Sequence, residues 1–192
     1  RRGGSLRNRS SIAYFGFNNQ NKIKMMKLGL GGGCHWCTEG VFRSVVGVKE
    51  VKQGWISSEA PYQNWSEGIE VHFDQQLLPV PLLLAIHLYS HSCTANHSLR
   101  EKYRSAIYYF TAGQKPLINT AMREIQKDFD KPIITKVIPF KNFKINKEQF
   151  LDYYYKNPDL PFCTHYIQPK LIALSERFQE TIQLRNPVKT QG

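Results

Sequence analysis

No run of apolar residues in this 192-residue chain approaches the ~18 needed to span a bilayer, so no membrane helix is expected. The longest candidate, Leu77 to Tyr89, holds two prolines and a histidine and predicts a buried helix with its leading turn. Cysteine is scarce too, and four residues do not make a disulfide framework in a chain of this length. With no secretory signal, they read as mostly reduced thiols in a cytoplasm-like compartment. Acidic residues are missing altogether from residues 1–27, which carry Arg1, Arg2, Arg7, Arg9, Lys22, Lys24 and Lys27. That gap explains most of the net charge of +11: removing these seven from 26 basic residues leaves 19 against 15 acidic ones, or +4. A body this mildly basic points away from nucleic acid as a partner, although a basic N-terminal arm is the alternative to test.

At 41% apolar and 12% aromatic residues the chain reads as globular, with the length of one domain. Residues 1–26 are rich in Arg, Ser and Asn and have no apolar periodicity. They predict a disordered or upstream-derived extension, with a transit peptide or polybasic arm as alternatives. A single domain over 27–185 is expected to follow.

"KLGLGGG" reads as a strand running into glycines, followed by a helix from His35 to Val46 that ends at Gly47. "VKEVKQGWI" and "GIEVHF" alternate like half-buried strands, and a helix follows over about Pro81 to Tyr89. After a polar loop, "YRSAIYYF" predicts a strand, "QKPLINTAMREIQKDF" a helix, "PIITKVIPF" a strand and "NKEQFLDYYYKN" a helix. Pro-rich coil from Pro158 leads to a last helix, Gln168 to Gln179. The order predicts an α+β fold: a ferredoxin-like, split β-α-β two-layer sandwich with a mainly antiparallel sheet and a C-terminal coil and helix extension.

Chemistry concentrates in "GGGCHWCTEG", residues 31 to 40. A cysteine that follows a strand and opens a helix sits where the helix dipole and free N–H groups favour its thiolate. Cys37 lies one turn further on, within reach of a disulfide with Cys34. By spacing alone the pair serves redox chemistry, zinc or neither. His87, His91, Cys93 and His97 are the residues that would complete a zinc site, but their spacing is irregular. Glu67, between Trp65 and Ile69, is a candidate general acid because a carboxyl against aromatic surface tends to stay protonated. Tyr103 opens the strand "YRSAIYYF".

These pieces together resemble the A-type peptide methionine sulfoxide reductase family. "GGGCHWCTEGVFRSVVGV" resembles the family's Gly-Cys-Phe-Trp signature and the helix after it, and "SEGIEVHFD" its His-Ala-Glu segment. "KYRSAIYYFTAGQK" resembles its Gln-Tyr-Arg-Ser-Ala-Ile-Tyr strand, and "FKINKEQFLDYYYKNP" its Asn-Pro segment. The similarity spans about residues 27 to 175. It implies reduction of methionine sulfoxide, S epimer, free or in oxidised proteins, with no cofactor. Cys34 matches the nucleophile, Trp36 the wall of the methyl pocket, Glu67 the acid that protonates the departing oxygen, and Tyr103 a hydroxyl that holds it. The Cys34 sulfenic acid then condenses to a disulfide recycled by a thioredoxin-like reductant, or by dithiothreitol in the test tube. Cys37 is expected to resolve first, because a neighbour one turn away has the higher effective concentration. Cys163 occupies the C-terminal coil where other members carry a recycling cysteine, and Cys93 reads as a loop cysteine. A monomer is expected.

Departures from the pattern are equally specific. His35 stands where the family has Phe, which makes one pocket wall polar and titratable. The loop between Trp55 and Glu67 is short and lacks a tyrosine-bearing segment, for which Tyr62 is the candidate substitute. Ser98 replaces an aspartate. His35, Trp36, Tyr62, Trp65 and Ser98 are therefore the expected substrate-binding positions. The competing function is a redox-sensing or zinc-binding module on the same fold.

Overall fold

The computed structural model describes residues 24–183. Strand β1 (Met25–Gly31) buries Leu28 and Leu30 completely, and β3 (Ser66–Asp74) pairs with it antiparallel from Met25↔Asp74 to Gly31↔Gly68. Met25 and Met26 are thus part of the first strand, two residues before the domain start expected at residue 27. The rest of the expected extension, residues 1–23, lies outside the described residues. Strand β2 (Val48–Ser57) flanks β3, and β4 (Ala106–Tyr109) flanks β1, both antiparallel. The β4-β1-β3-β2 core is the ferredoxin-like order. β5 (Lys136–Pro139) extends it parallel to β4, and β6 (Asn142–Ile145) antiparallel to β2.

Alternation along the strands divides the sheet into two faces. Leu28, Leu30, Ile69, Val71, Phe73 and Ile107 point to one, where they meet α1 (His35–Arg43), α2 (Val80–Tyr89) and α3 (Gln114–Ile125). Val41 and Phe42 from α1, Leu83 and Leu84 from α2, and Ile118 and Ala121 from α3 fill that layer. Ile56, Ala106, Tyr108 and Ile138 form a smaller cluster on the opposite face, covered by Tyr62, Phe140 and Phe143. No helix among the described residues is long and apolar enough to cross a membrane.

The C-terminal third departs from its sequence pattern. "NFKI" is strand β6, which the sequence left unassigned, and the helix expected over 146–157 reduces to a 3-10 turn, Glu148–Phe150, and the short α4 (Tyr153–Lys156). Asp152 interrupts it in the left-handed conformation (φ 58°) because its N–H donates to the buried Glu39 carboxylate at 2.9 Å. The coil after Pro158 contains a π-helical turn, Cys163–Ile167, which leads into α5 (Gln168–Arg177).

Candidate active site

Cys34 is the N-cap of α1, three residues beyond the end of β1. Gly32 lets the turn pass close to α2: a Cβ there would lie 2.5 Å from the His91 ring. The Cys34 carbonyl starts the helix by accepting from the N–H of Thr38 at 3.2 Å, which leaves the thiol free of capping duty. Its sulfur instead shares a hydrogen bond with Cys37. That shared bond, then burial, raises Cys34; the same bond lowers Cys37 to about 7 against an opposing burial. The two thiols titrate as a pair, whose first proton leaves near neutral pH because the remaining thiol donates to the thiolate. Helix-terminal N–H groups favour negative charge on the pair. The sequence located both the helix terminus and the partner sulfur; the burial that sets their titration comes from the packing.

Glu67, buried near the start of β3 opposite Trp55, sits beside this turn. Its Oε2 accepts the backbone N–H of His35 at 3.2 Å, and its Oε1 lies 3.4 Å from Lys102 Nζ. Lys102 also hydrogen-bonds Tyr103 and lies 5.0 Å from its ring centre, so both neighbours raise the lysine. One exposed ammonium therefore joins the acid to the tyrosine. Tyr103 itself precedes β4 in a turn, not in the strand where its sequence placed it. The N–H of Glu67 donates to the Lys102 carbonyl at 2.8 Å, which pins the two segments together.

The imidazole of His35 is buried rather than presented as a pocket wall. Nδ1 donates to the Gly54 carbonyl at 3.1 Å, which assigns the proton to Nδ1 and leaves Nε2 to accept from Asn146 Nδ2 at 3.4 Å. Burial lowers its pKa, so the ring is neutral. Asn146 passes the chain to Gln53, and Gln53 to the Glu39 carboxylate at 2.7 Å. Trp36 turns away from this polar chain. Its indole stacks on Tyr153 (4.1 Å, 7°) and meets the edge of Phe162 at 5.6 Å, with Phe150 at 6.1 Å. These three aromatics complete an apolar wall that the sequence did not connect with Trp36, because they come from the irregular C-terminal third.

A coupled thiol pair, a buried carboxylate and an aromatic cluster around one turn agree with the comparisons to known proteins. The chain matches the family model described as peptide methionine sulfoxide reductase over residues 26–182. It belongs to that family. A peptide methionine sulfoxide reductase MsrA of Psychrobacter sp. (strain PRwf-1) is 33% identical over 172 residues, covering 81% of this chain and 98% of the relative. The fold is similar to the reduced form of Mxr1 from Saccharomyces cerevisiae, with TM-score 0.64 and 22% identity over 75% of this chain and 92% of that one. It is also similar to Mxr1 in complex with Trx2, with TM-score 0.54 and 21% identity over 66% and 84% of the two chains.

Within this reductase fold, Cys34, Cys37, Glu67, Tyr103 and Trp36 gather around one turn, whereas three expected residues do not join them. Tyr62 packs on the opposite sheet face, its ring between Arg104 and Lys136. The short loop folds back on itself there, with the Ser58 N–H donating to the Tyr62 carbonyl at 3.0 Å. Trp65 is 46% exposed, and Ser98 is exposed at the start of a 3-10 turn, Ser98–Arg100. Cys163 is completely buried in the π-helical turn, whose neighbour Phe162 packs on Trp36; burial first, then the charge of Cys37, raises it. Cys93 is buried, and its carbonyl accepts from Ile134 at 2.8 Å. Among the described residues no three of His, Cys, Asp and Glu gather to hold a metal ion. The His87 and His91 rings meet at a tilt of 37° with centres 4.5 Å apart, and His97 is exposed.

Proposed function

We propose that this member of the family reduces the S epimer of methionine sulfoxide, free or in oxidised proteins, through Cys34. The supporting observation is the single turn that holds a shared-proton thiol pair and, through the His35 N–H, a buried carboxylate. The sulfur of Cys34 attacks the sulfoxide sulfur, and Glu67 delivers a proton to the oxygen as the S–O bond transfers. Tyr103, held by Lys102, donates to the same oxygen, and the Trp36 wall receives the methyl group. Methionine leaves, and Cys34 keeps the oxygen as sulfenic acid. Cys37 then displaces that oxygen as water to give the Cys34–Cys37 disulfide. Cys163 accepts the disulfide by exchange, and two thiols of a thioredoxin-like protein reduce it. The complex of a structural relative with Trx2 supports that reductant. A reducing, cytoplasm-like compartment and a monomeric state belong to the same reading.

Turnover of each epimer of a methionine sulfoxide peptide, first with dithiothreitol and then with thioredoxin, tests it. The expected result is reduction of the S epimer with both reductants. Reduction of the R epimer alone, or turnover that survives Cys34→Ser, sinks it.

A further inference from the structure

A cavity of about 460 Å³ opens at the same end of the sheet as Cys34 and is bounded by Tyr62, Asn64, Arg100, Glu101, Arg104 and Lys136. Arg104 is only 6% exposed. Its guanidinium donates to the Tyr108 hydroxyl at 3.3 Å and to the Asn64 carbonyl at 3.1 Å, both neutral acceptors. Among the described residues no carboxylate stands within ion-pair distance of Arg104, Arg100 or Lys136. Glu101, the acid at the rim, is exposed and accepts from Asn64 at 2.5 Å instead. Three cations against one acid give the cavity a net positive charge.

A buried cation without a counter-charge is expensive unless something compensates it. The Tyr62 ring does so in part, lying 5.4 Å from the Arg104 carbon and 5.3 Å from Lys136 Nζ. A ring face attracts a cation but leaves its charge intact. Arg104 has five N–H donors, so those beyond its two protein bonds match the paired oxygens of a carboxylate.

The strand register sets the distance to the reacting turn. Gly31 pairs with Ala106, and Ala106 with Lys136, so β5 lies two strand spacings, about 10 Å, from β1. Arg100 lines the cavity and donates to the Gly32 carbonyl at 3.1 Å, which ties the two places together. Because Tyr62 places the cavity toward the sheet face opposite α1, a peptide from Cys34 passes round the strand ends, and at about 3.3 Å per residue it needs about three to four residues to arrive.

We propose that this cavity is a carboxylate subsite that takes an Asp or Glu side chain of the substrate peptide about three to four residues from the methionine sulfoxide. The inference rests on the reductase reading above and adds a substrate preference to it: oxidised methionines within acidic stretches are reduced faster.

The test compares nonapeptides with central methionine sulfoxide and either Glu or Gln at the second to fourth flanking positions, alongside N-acetyl-methionine sulfoxide. The Glu peptide is expected to exceed the Gln peptide in kcat/KM by about tenfold, as for a charge-assisted contact to a desolvated guanidinium. Lys136→Gln, at an exposed position, lowers that ratio about threefold, and Arg104→Gln removes it. Both variants retain turnover of N-acetyl-methionine sulfoxide; if Arg104→Gln does not fold, Lys136→Gln decides. Free glutarate, the alternative source of carboxylate, is expected to inhibit the Glu peptide and spare the small substrate. Equal kcat/KM for the two peptides, or equal losses on both in Lys136→Gln, overturns the proposal. No turnover of N-acetyl-methionine sulfoxide would instead overturn the reductase reading. Calorimetric binding of the two peptides to the Cys34→Ser variant then still decides the subsite, with equal affinities counting against it.

Discussion

The backbone N–H of His35 donates to Glu67 Oε2 at 3.2 Å, so the residue directly after Cys34, the proposed nucleophile, holds the proposed acid. The distance between nucleophile and acid is therefore set by backbone on one side and by β3 on the other. Cys34→Ser is expected to abolish turnover, whereas Cys37→Ser yields one stoichiometric methionine without recycling. Mass spectrometry after a single turnover of the wild type checks the order of steps. A Cys34–Cys163 bond with Cys37 still a thiol would overturn the assignment of Cys37 as first resolver.

The shared proton of Cys34 and Cys37 predicts a pH profile. A thiol whose pKa is lowered is ionised at pH values above it, so alkylation by iodoacetamide should rise through a pH of about 7. In Cys37→Ala the donor to the remaining sulfur is lost, and the rise moves toward the ordinary thiol value of about 8.5. An unchanged profile would mean the sulfurs do not share the proton.

His35→Phe restores the residue usual in the resembling pattern but removes two buried ring bonds, one to the Gly54 carbonyl and one from Asn146 Nδ2. Each lost hydrogen bond costs about 1 kcal/mol, which denaturant unfolding would register. The backbone bond to Glu67 does not depend on the side chain, so reduction of methionine sulfoxide should persist. Loss of activity without loss of stability would assign the imidazole a direct role.

Lys102→Ala separates Glu67 from Tyr103. Because the ammonium is exposed, stability should not move, while kcat/KM falls about tenfold, the worth of one charge-assisted hydrogen bond in the transition state. Lys102→Arg should recover most of that loss. Full activity in Lys102→Ala would show that the tyrosine needs no such anchor.

Acid should weaken the fold through the histidine pair. Burial lowers His91 to about 4 and His87 well below its ordinary value. Between pH 6.5 and about 4 the unfolded chain takes up protons that the folded His91 refuses, so stability falls as pH drops through that window. The loss at His91 is on the order of 1–3 kcal/mol, and His91→Gln should flatten that part of the profile.

Local pattern was sufficient for much of this protein. The strand-to-helix step before Cys34, the strands β2 and β3 and the helix α3 each follow from a short local pattern, although β3 is buried on both faces where alternation predicts one. The ferredoxin-like order follows from the succession of elements. Tertiary packing decided the rest, because the groups concerned are far apart in sequence. Lys102 meets Glu67 only where a loop crosses a strand start, and Tyr153 and Phe162 reach Trp36 only after an irregular segment wraps back. The Asp152 bond to Glu39 broke a helix that the local pattern favoured. Tyr62 went to the opposite face because a short loop closes on its own backbone before it can reach Cys34. The sequence by itself singled out Cys34 and the fold that presents it; burial and long-range contacts decided which groups surround that thiol.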